Sequence, residues 1–390
     1  MSPAEYDLLI ATRRDLHRHP EIGFGEHRTA GIVAERLAAA GYSVRTGVAG
    51  TGVVGTLTGG AGPGRRLLLR ADMDALPVDE ANTHEYSSTV PGRMHACGHD
   101  AHVAIGLAVA ERLSRRRNEL TGEIRYVFQP AEEGMGGAKR MVAEGVLEGV
   151  DAALGLHVWV PLPAGTIGVV DGPQMAGSQE FQINVSGTGG HGGMPHQTVD
   201  AIYIASQIVV ALQSIVSRNI SPLDSGVVSV GAFHAGSAPN IIAESATLNG
   251  TIRAFSTETE NLIRERIASI SAGIAASLGG TAKVVFRDLL FPPTANSPDL
   301  ARLVREVATE VVGADRVRSD TGIRTMAAED FAEFSTRIPG CYFFLGGEDA
   351  SVGAIHPHHS PYFELSEQAL PIGVEVLERA AIRFLADHPA

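Results

Sequence analysis

Lysine is nearly missing from this chain of 390 residues: Lys139 and Lys283 are the only two, and arginine supplies the rest of the positive charge. Acids still outnumber bases, and the formal net charge is -13. A surface of that sign repels a phosphate backbone, so nucleic acid is excluded as the expected partner. Cysteine is equally scarce. Cys97 and Cys341 are far apart and form no C-x-x-C pair, which argues against a disulfide scaffold and for a reducing, cytoplasmic setting. The first residues, Met-Ser-Pro-Ala-Glu-Tyr-Asp, have neither a basic stretch nor an apolar core, so no signal peptide is expected. Long apolar runs are absent too. The most apolar stretch, 199–216, is interrupted by Gln207, Gln213 and serines, and reads as a packed helix, not a membrane span. There is no low-complexity tract and no internal repeat.

What is present suits a globular enzyme. Apolar residues make up 44% of the chain and charged residues 19%. The length suggests about two domains. The densest chemistry lies in Met94–His102, Met-His-Ala-Cys-Gly-His-Asp-Ala-His. Cys97 alone would read as a small buried apolar residue. Three histidines, a cysteine and an acid in nine residues instead favour a metal, because such a group is costly to bury unsatisfied. The apolar run that follows has helical spacing, so the cluster should sit on a loop opening a buried helix.

Other candidate groups fall near the ends of strand-like segments. Arg70-Ala-Asp-Met-Asp-Ala-Leu-Pro77 follows Leu67-Leu-Leu and carries Asp72 and Asp74. The strand at 122–129 ends in Pro130-Ala-Glu-Glu-Gly134, and adjacent carboxylates repel unless one is protonated or both face a cation. The strand at 151–157 delivers His157. Functional groups beyond the carboxyl ends of strands are the habit of α/β sheets. Two G-x-G-x-x-G matches carry no weight: the one beginning at Gly50 leads into another strand and not a helix, and the one beginning at Gly187 is closely followed by Pro195 and has no acid at the expected distance. A nucleotide-binding oxidoreductase is therefore not favoured.

Helices are expected at 4–19, 26–40, 138–144, 298–311 and 366–386. Residues 178–290 change texture. A strand, a glycine- and histidine-rich loop, a helix at 199–216, strands at 226–233 and 243–254, a helix at 257–277 and a strand at 281–287 give the order β-α-β-β-α-β, the ferredoxin-like pattern. The expected layout is an α/β, doubly wound catalytic metal-binding domain, 1–177 and 291–390, interrupted by an inserted α+β domain, 178–290, with hinges near 177 and 290.

Six motifs then occur in order: Arg-Ala-Asp-Met-Asp-Ala-Leu-Pro, Met-His-Ala-Cys-Gly-His-Asp-Ala-His, Phe-Gln-Pro-Ala-Glu-Glu-Gly, Gly-Leu-His-Val, Gly-Gly-His-Gly-Gly-Met-Pro-His and His-Ser-Pro-Tyr-Phe. Together they resemble the metal-dependent aminoacylase/carboxypeptidase family, in the branch of hippurate hydrolases, indole-acetyl-amino-acid hydrolases and N-acetyl-diaminopimelate deacetylases. The resemblance implies that Cys97, His99, Glu133, His157 and His359 hold two divalent ions, zinc, manganese, cobalt or nickel. It implies that Glu132 is the general base, that Asp74 orients a ligand, and that His191 stabilises the oxyanion, reaching the partner subunit's site. Asn240 and Arg253 would bind the substrate's α-carboxylate, and the insertion would be a lid and dimerisation domain. The peptidase branch has a histidine ligand where this chain has Asp72, a departure for which Cys97 and His99 would compensate. His356, His358 and His359 are close enough to exchange roles; His359 directly precedes Ser-Pro-Tyr-Phe. The implied reaction is hydrolysis of N-acyl amino acids in a homodimer or higher oligomer. A dipeptidase or carboxypeptidase, and a non-catalytic binding protein, are the alternatives.

Overall fold

The computed structural model describes residues 1–287 and 291–386, so the expected hinge near 290 lies outside the described residues. The chain begins α1 (Pro3–Arg18), α2 (His27–Ala39), β1 (Ser43–Val48), β2 (Gly52–Thr58), β3 (Arg66–Asp72), α3 (His99–Arg115), β4 (Glu123–Gln129), α4 (Gly137–Ala143), β5 (Ala152–Pro163), β6 (Ile167–Gly168) and β7 (Gly172–Met175). It continues β8 (Gly177–Ser186), β9 (Gly190–His191), α5 (Ala201–Arg218), β10 (Gly226–Ala235), β11 (Ile241–Ile242), β12 (Ser245–Ala254), α6 (Thr257–Ser277) and β13 (Thr281–Phe286). The last part is β14 (Thr294–Asn296), α7 (Pro298–Val312), β15 (Val317–Arg318), α8 (Ala332–Ser335), β16 (Gly340–Glu348) and α9 (Leu370–Ala386).

Two compact units result. One comprises Met1–Gln174, Ala295–Arg324 and Asp330–Ala390; the other comprises Met175–Thr294 and Thr325–Glu329. The first holds an eight-stranded sheet in the order β1-β2-β4-β3-β5-β16-β6-β15. Its centre is parallel: β4, β3, β5 and β16 all run the same way. Parallel strands are buried on both faces and read as apolar runs, as Leu67, Leu68 and Leu69 do at zero exposure. Register then places the chemistry. Asp72 pairs with Gln129, and Arg70 pairs with Gly155, so Asp72, Gln129 and His157 stand level on three adjacent strands. β5 runs on to Pro163 because β16 keeps pairing with Val158 and Trp159. His157 therefore sits inside a strand, not at its end as 151–157 would have it.

α3 is buried from His99 to Ala110, Ala108 only partly, and packs against α1, α2, α9 and β3. It opens with Gly98 at φ +93, a left-handed position that suits glycine. α1 starts with a reciprocal capping box between Ser2 and Glu5 and ends before Pro20. The helix expected at 366–386 begins only at Leu370, after a 3-10 turn over Glu367–Ala369.

The second unit shows the expected β-α-β-β-α-β order. Its antiparallel sheet runs β10-β12-β8-β13, with α5 and α6 packed together against it. Among the described residues α5 alone is long and apolar enough to cross a membrane. Its Ile204, Ile208, Leu212 and Ile215 are buried in the core of this unit.

Candidate metal centre

Beyond the carboxyl ends of β3 and β4, and level with the middle of β5, the first unit gathers Cys97, His99, Glu132, Glu133, His157 and His359. Donor atoms of Cys97, His99 and His157 lie within 4.8 Å of one another, as do those of Cys97, Glu133 and His359, and those of His99, Glu132 and Glu133. Cys97 Sγ lies 3.5 Å from His157 Nε2. Two donors on one tetrahedral ion at about 2.0–2.3 Å are separated by roughly that distance.

Each imidazole is turned by its other nitrogen. His157 Nδ1 donates to the Val158 carbonyl at 2.6 Å, which leaves Nε2 facing Cys97. His99 Nδ1 donates to the Asp74 carbonyl at 2.8 Å, with Asp74 Oδ1 at 3.3 Å. Its Nε2 is buried and makes no hydrogen bond, with Asp72 Oδ2 3.5 Å away; Glu133 Oε1 likewise makes none, with His359 Nε2 3.3 Å away. Buried polar atoms seldom go unsatisfied. The thiol, imidazole and carboxylate donors around them suit divalent ions of the zinc type, so the residues present fit the implied metals. Asp74 Oδ2 also accepts from the Glu133 N–H at 3.0 Å, so one residue, through its main-chain carbonyl and its carboxylate, orients two candidate ligands.

The two neighbouring histidines near the C-terminus differ. His359 has φ +67, a strained value for a non-glycine residue. Its Nε2 is 3.3 Å from Glu133 Oε1, and its N–H donates to the Ala96 carbonyl at 2.7 Å. His358 stacks on Trp159, accepts the Val160 N–H on Nε2, and brings Nδ1 to 3.8 Å from Cys97 Sγ. His356 packs against Tyr362 with the rings tilted by 38°.

Electrostatics separate these groups. Burial pulls the His99 pKa down, but Asp72 and Asp74 outweigh it and raise it to about 10. Burial, then His102 and His358, hold His157 far below the usual histidine value. Burial lowers His358 to about 3. Burial would raise Asp72, yet Arg70, His99 and His102 together keep it well below the usual carboxylate value.

Sequence reasoning missed the network behind Asp72. Arg70 is buried and donates to Asp72 Oδ2 at 2.7 Å, to the Tyr342 hydroxyl at 2.9 Å, to Gln129 at 2.8 Å and to Asp330 at 2.9 Å. The available signal was an arginine inside an apolar central strand, since a buried charge demands partners.

His191, Asn240 and Arg253 lie on the second unit. His191 pairs with Ile241 between β9 and β11, and the Gly192 N–H donates to the Asn240 carbonyl at 2.8 Å, so the first two are neighbours. The Gly193 N–H donates to His191 Nδ1 at 2.9 Å, which puts the ring proton on the exposed Nε2. Arg253 is not with them. It lies near the far end of β12, paired with Ser178, and donates to Thr251 and to the Ile252 carbonyl. From the start of β12 to Arg253 the strand spans roughly 27 Å at about 3.4 Å per residue.

Comparison with known proteins agrees with this geometry. The model of peptidase family M20/M25/M40 matches residues 68–383. An IAA-amino acid hydrolase of Arabidopsis thaliana is 40% identical over 388 residues, covering 99% of this chain and 87% of that protein. A thermostable carboxypeptidase of Saccharolobus solfataricus is 39% identical over 384 residues, covering 97% and 95%. The crystal structure of a dinuclear metal-binding M20 peptidase of Bacillus subtilis superposes with a TM-score of 0.87 at 32% identity, covering 99% of both chains. With the donor cluster over the central strands of the sheet, these matches make the chain a member of peptidase family M20/M25/M40, and so a metal-dependent hydrolase of amide bonds.

Proposed function

We propose that this hydrolase acts on N-acyl amino acids, of acetyl, benzoyl or indole-acetyl type, and releases a carboxylic acid and a free amino acid. The observation that carries the reading is the donor set around Cys97, buried at Cys97, His99 and His157, with a second buried carboxylate, Glu132, beside it. Cys97, His99, Glu133, His157 and His359 would hold two divalent ions; the donor mix admits zinc, manganese, cobalt or nickel. Such ions supply Lewis acidity and a water of lowered pKa. Glu132 takes the proton of the attacking water and returns it to the leaving amine. Asp74 fixes the orientation of His99 and of the Glu133 backbone. His191, with its proton on Nε2, donates to the developing oxyanion. Arg253 and Asn240 read the α-carboxylate of the amino-acid half.

The site is shared between two copies. Within one chain the His191–Asn240 pair belongs to the β9–β11 ribbon that precedes β12, and Arg253 lies near the last residue of β12. A substrate the size of an acyl amino acid does not span that distance, so a homodimer with His191 and Asn240 donated by the partner accounts for all three. Two free, widely separated cysteines suit the cytoplasm.

A dipeptidase or carboxypeptidase is the second reading, favoured by the resemblance to the Saccharolobus carboxypeptidase. The test is amino-acid release from acetyl-, benzoyl- and indole-acetyl-amino acids and from dipeptides, with metal-loaded and chelator-stripped protein. Metal-dependent release from acylated substrates supports the first reading. Release from dipeptides alone replaces it with the second, and release from neither refutes both.

A further inference from the structure

Glu26 occupies the N-cap position of α2 but makes no capping hydrogen bond with its side chain. Capping would be served better by Ser, Thr, Asp or Asn. Instead the side chain turns inward to zero exposure. Oε1 accepts the Ala131 N–H at 2.9 Å, and Oε2 accepts the Thr51 hydroxyl at 2.5 Å. Ala131 is itself fully buried and has φ +55, a left-handed conformation that a non-glycine residue holds only when its surroundings impose it. The turn it opens is tight. The Gly137 N–H donates to the Ala131 carbonyl at 3.1 Å, and a side chain at Gly137 would meet the Pro130 carbonyl oxygen at 1.7 Å.

Two residues on, the Glu133 N–H is held by Asp74 Oδ2 at 3.0 Å. Glu132 is therefore bracketed by two peptide N–H groups, each bound to a buried carboxylate. Burial raises the Glu26 pKa, and the nearby charge of Asp74 raises it further.

We propose that Glu26 is a positioning residue for the reaction: its carboxylate clamps Ala131 in the left-handed conformation and so fixes the direction of Glu132. The inference rests on Glu132 acting as the base. A displacement of about 1 Å at such a group can cost roughly a hundredfold in rate.

The experiment compares Glu26→Ala, Glu26→Gln and the double variant Glu26→Ala with Ala131→Gly, by steady-state kinetics, metal content and hydrogen–deuterium exchange over residues 126–137. Glu26→Ala should lower kcat by roughly 30-fold or more, with KM and bound metal nearly unchanged. Glu26→Gln keeps an acceptor for the Ala131 N–H and a donor towards Thr51, and should stay within about threefold of wild type. Adding Ala131→Gly to Glu26→Ala should recover about tenfold, because glycine adopts the conformation without a clamp. General destabilisation would not be rescued in this way. Wild-type kcat in Glu26→Ala, loss of metal in place of kcat, or no recovery with glycine each overturns the proposal. If Glu26→Ala does not fold, Glu26→Asp, which withdraws the carboxylate by one methylene, is measured with the same criteria. Exchange at the Ala131 amide reads the clamp without activity: it should be at least about tenfold faster in Glu26→Ala than in Glu26→Gln, and equal rates refute the clamp. An inactive wild type would refute the base assignment, while the exchange result still decides the clamp.

Discussion

His102 Nδ1 lies 2.5 Å from Asp72 Oδ1, while the Val158 N–H donates to His102 Nε2 at 2.9 Å. That pair of bonds fixes the tautomer: the ring proton is on Nδ1, and the lone pair of Nε2 is spent. His102 therefore has nothing left for an ion, and Asp72 is held on its other oxygen by Arg70. Replacing Asp72 with Ala should leave bound metal unchanged and cost about 3–5 kcal/mol in chemical denaturation, since buried positive partners lose their counter-charge. Loss of an ion at an unchanged unfolding midpoint would instead make Asp72 a ligand.

Cys97 belongs to two of the three groups of ligand atoms, with His99 and His157 on one side and with Glu133 and His359 on the other. His157 belongs to only one of them. Cys97→Ala should therefore deplete both ions, and His157→Ala mainly one. Metal analysis after dialysis against a graded chelator series checks the ranking; equal depletion by the two variants contradicts a shared thiolate.

Glu132→Gln should bind metal as wild type does and lose roughly two to four orders of magnitude in kcat, because a carboxamide cannot accept the proton. Metal content and turnover are measured on the same preparation. A rate near wild type sends the base assignment elsewhere.

The separation of Arg253 from the His191–Asn240 pair along β12 leads to a complementation test. His191→Ala and Glu132→Ala should each be inactive. Mixed under conditions of proven subunit exchange, they should recover up to about a quarter of wild-type activity, because in a hybrid one site receives both intact residues. No recovery would confine the site to one chain.

How far these relations could be read in advance depended on sequence distance. The helix at 257–277 and the strand pattern of the second unit follow from local periodicity and are found as expected. The Met94–His102 cluster was visible because its groups are adjacent in the chain. Arg70 finds Asp330 across 260 positions and Glu26 finds Ala131 across 105, and no local spacing encodes such pairs. They arise because buried charge must be matched wherever the fold brings a partner. His17, which beside His19 reads as a surface or structural residue, belongs to this class too.

His17 has zero exposure, with Nδ1 2.8 Å from Asp100 Oδ2 and Nε2 3.3 Å from Glu80 Oε1. Burial and the neighbouring Arg13 push its pKa down, but Asp100 and Glu80 prevail and raise it from 6.5 to about 9. A folded pKa above the unfolded one means that protonation favours the native state. The gain is whole below about pH 6.5 and is lost as pH rises through about 9; it amounts to at most about 3 kcal/mol. Asp100, whose pKa is held down by Arg13 and His17, works in the opposite sense but only in acid, outside this window. The urea midpoint of the wild type should therefore fall between pH 6.5 and 9.5. His17→Gln should start lower at pH 6.5 and change less over the same range. Parallel curves for the two proteins would mean that His17 is buried neutral and that Arg13 alone balances Asp100.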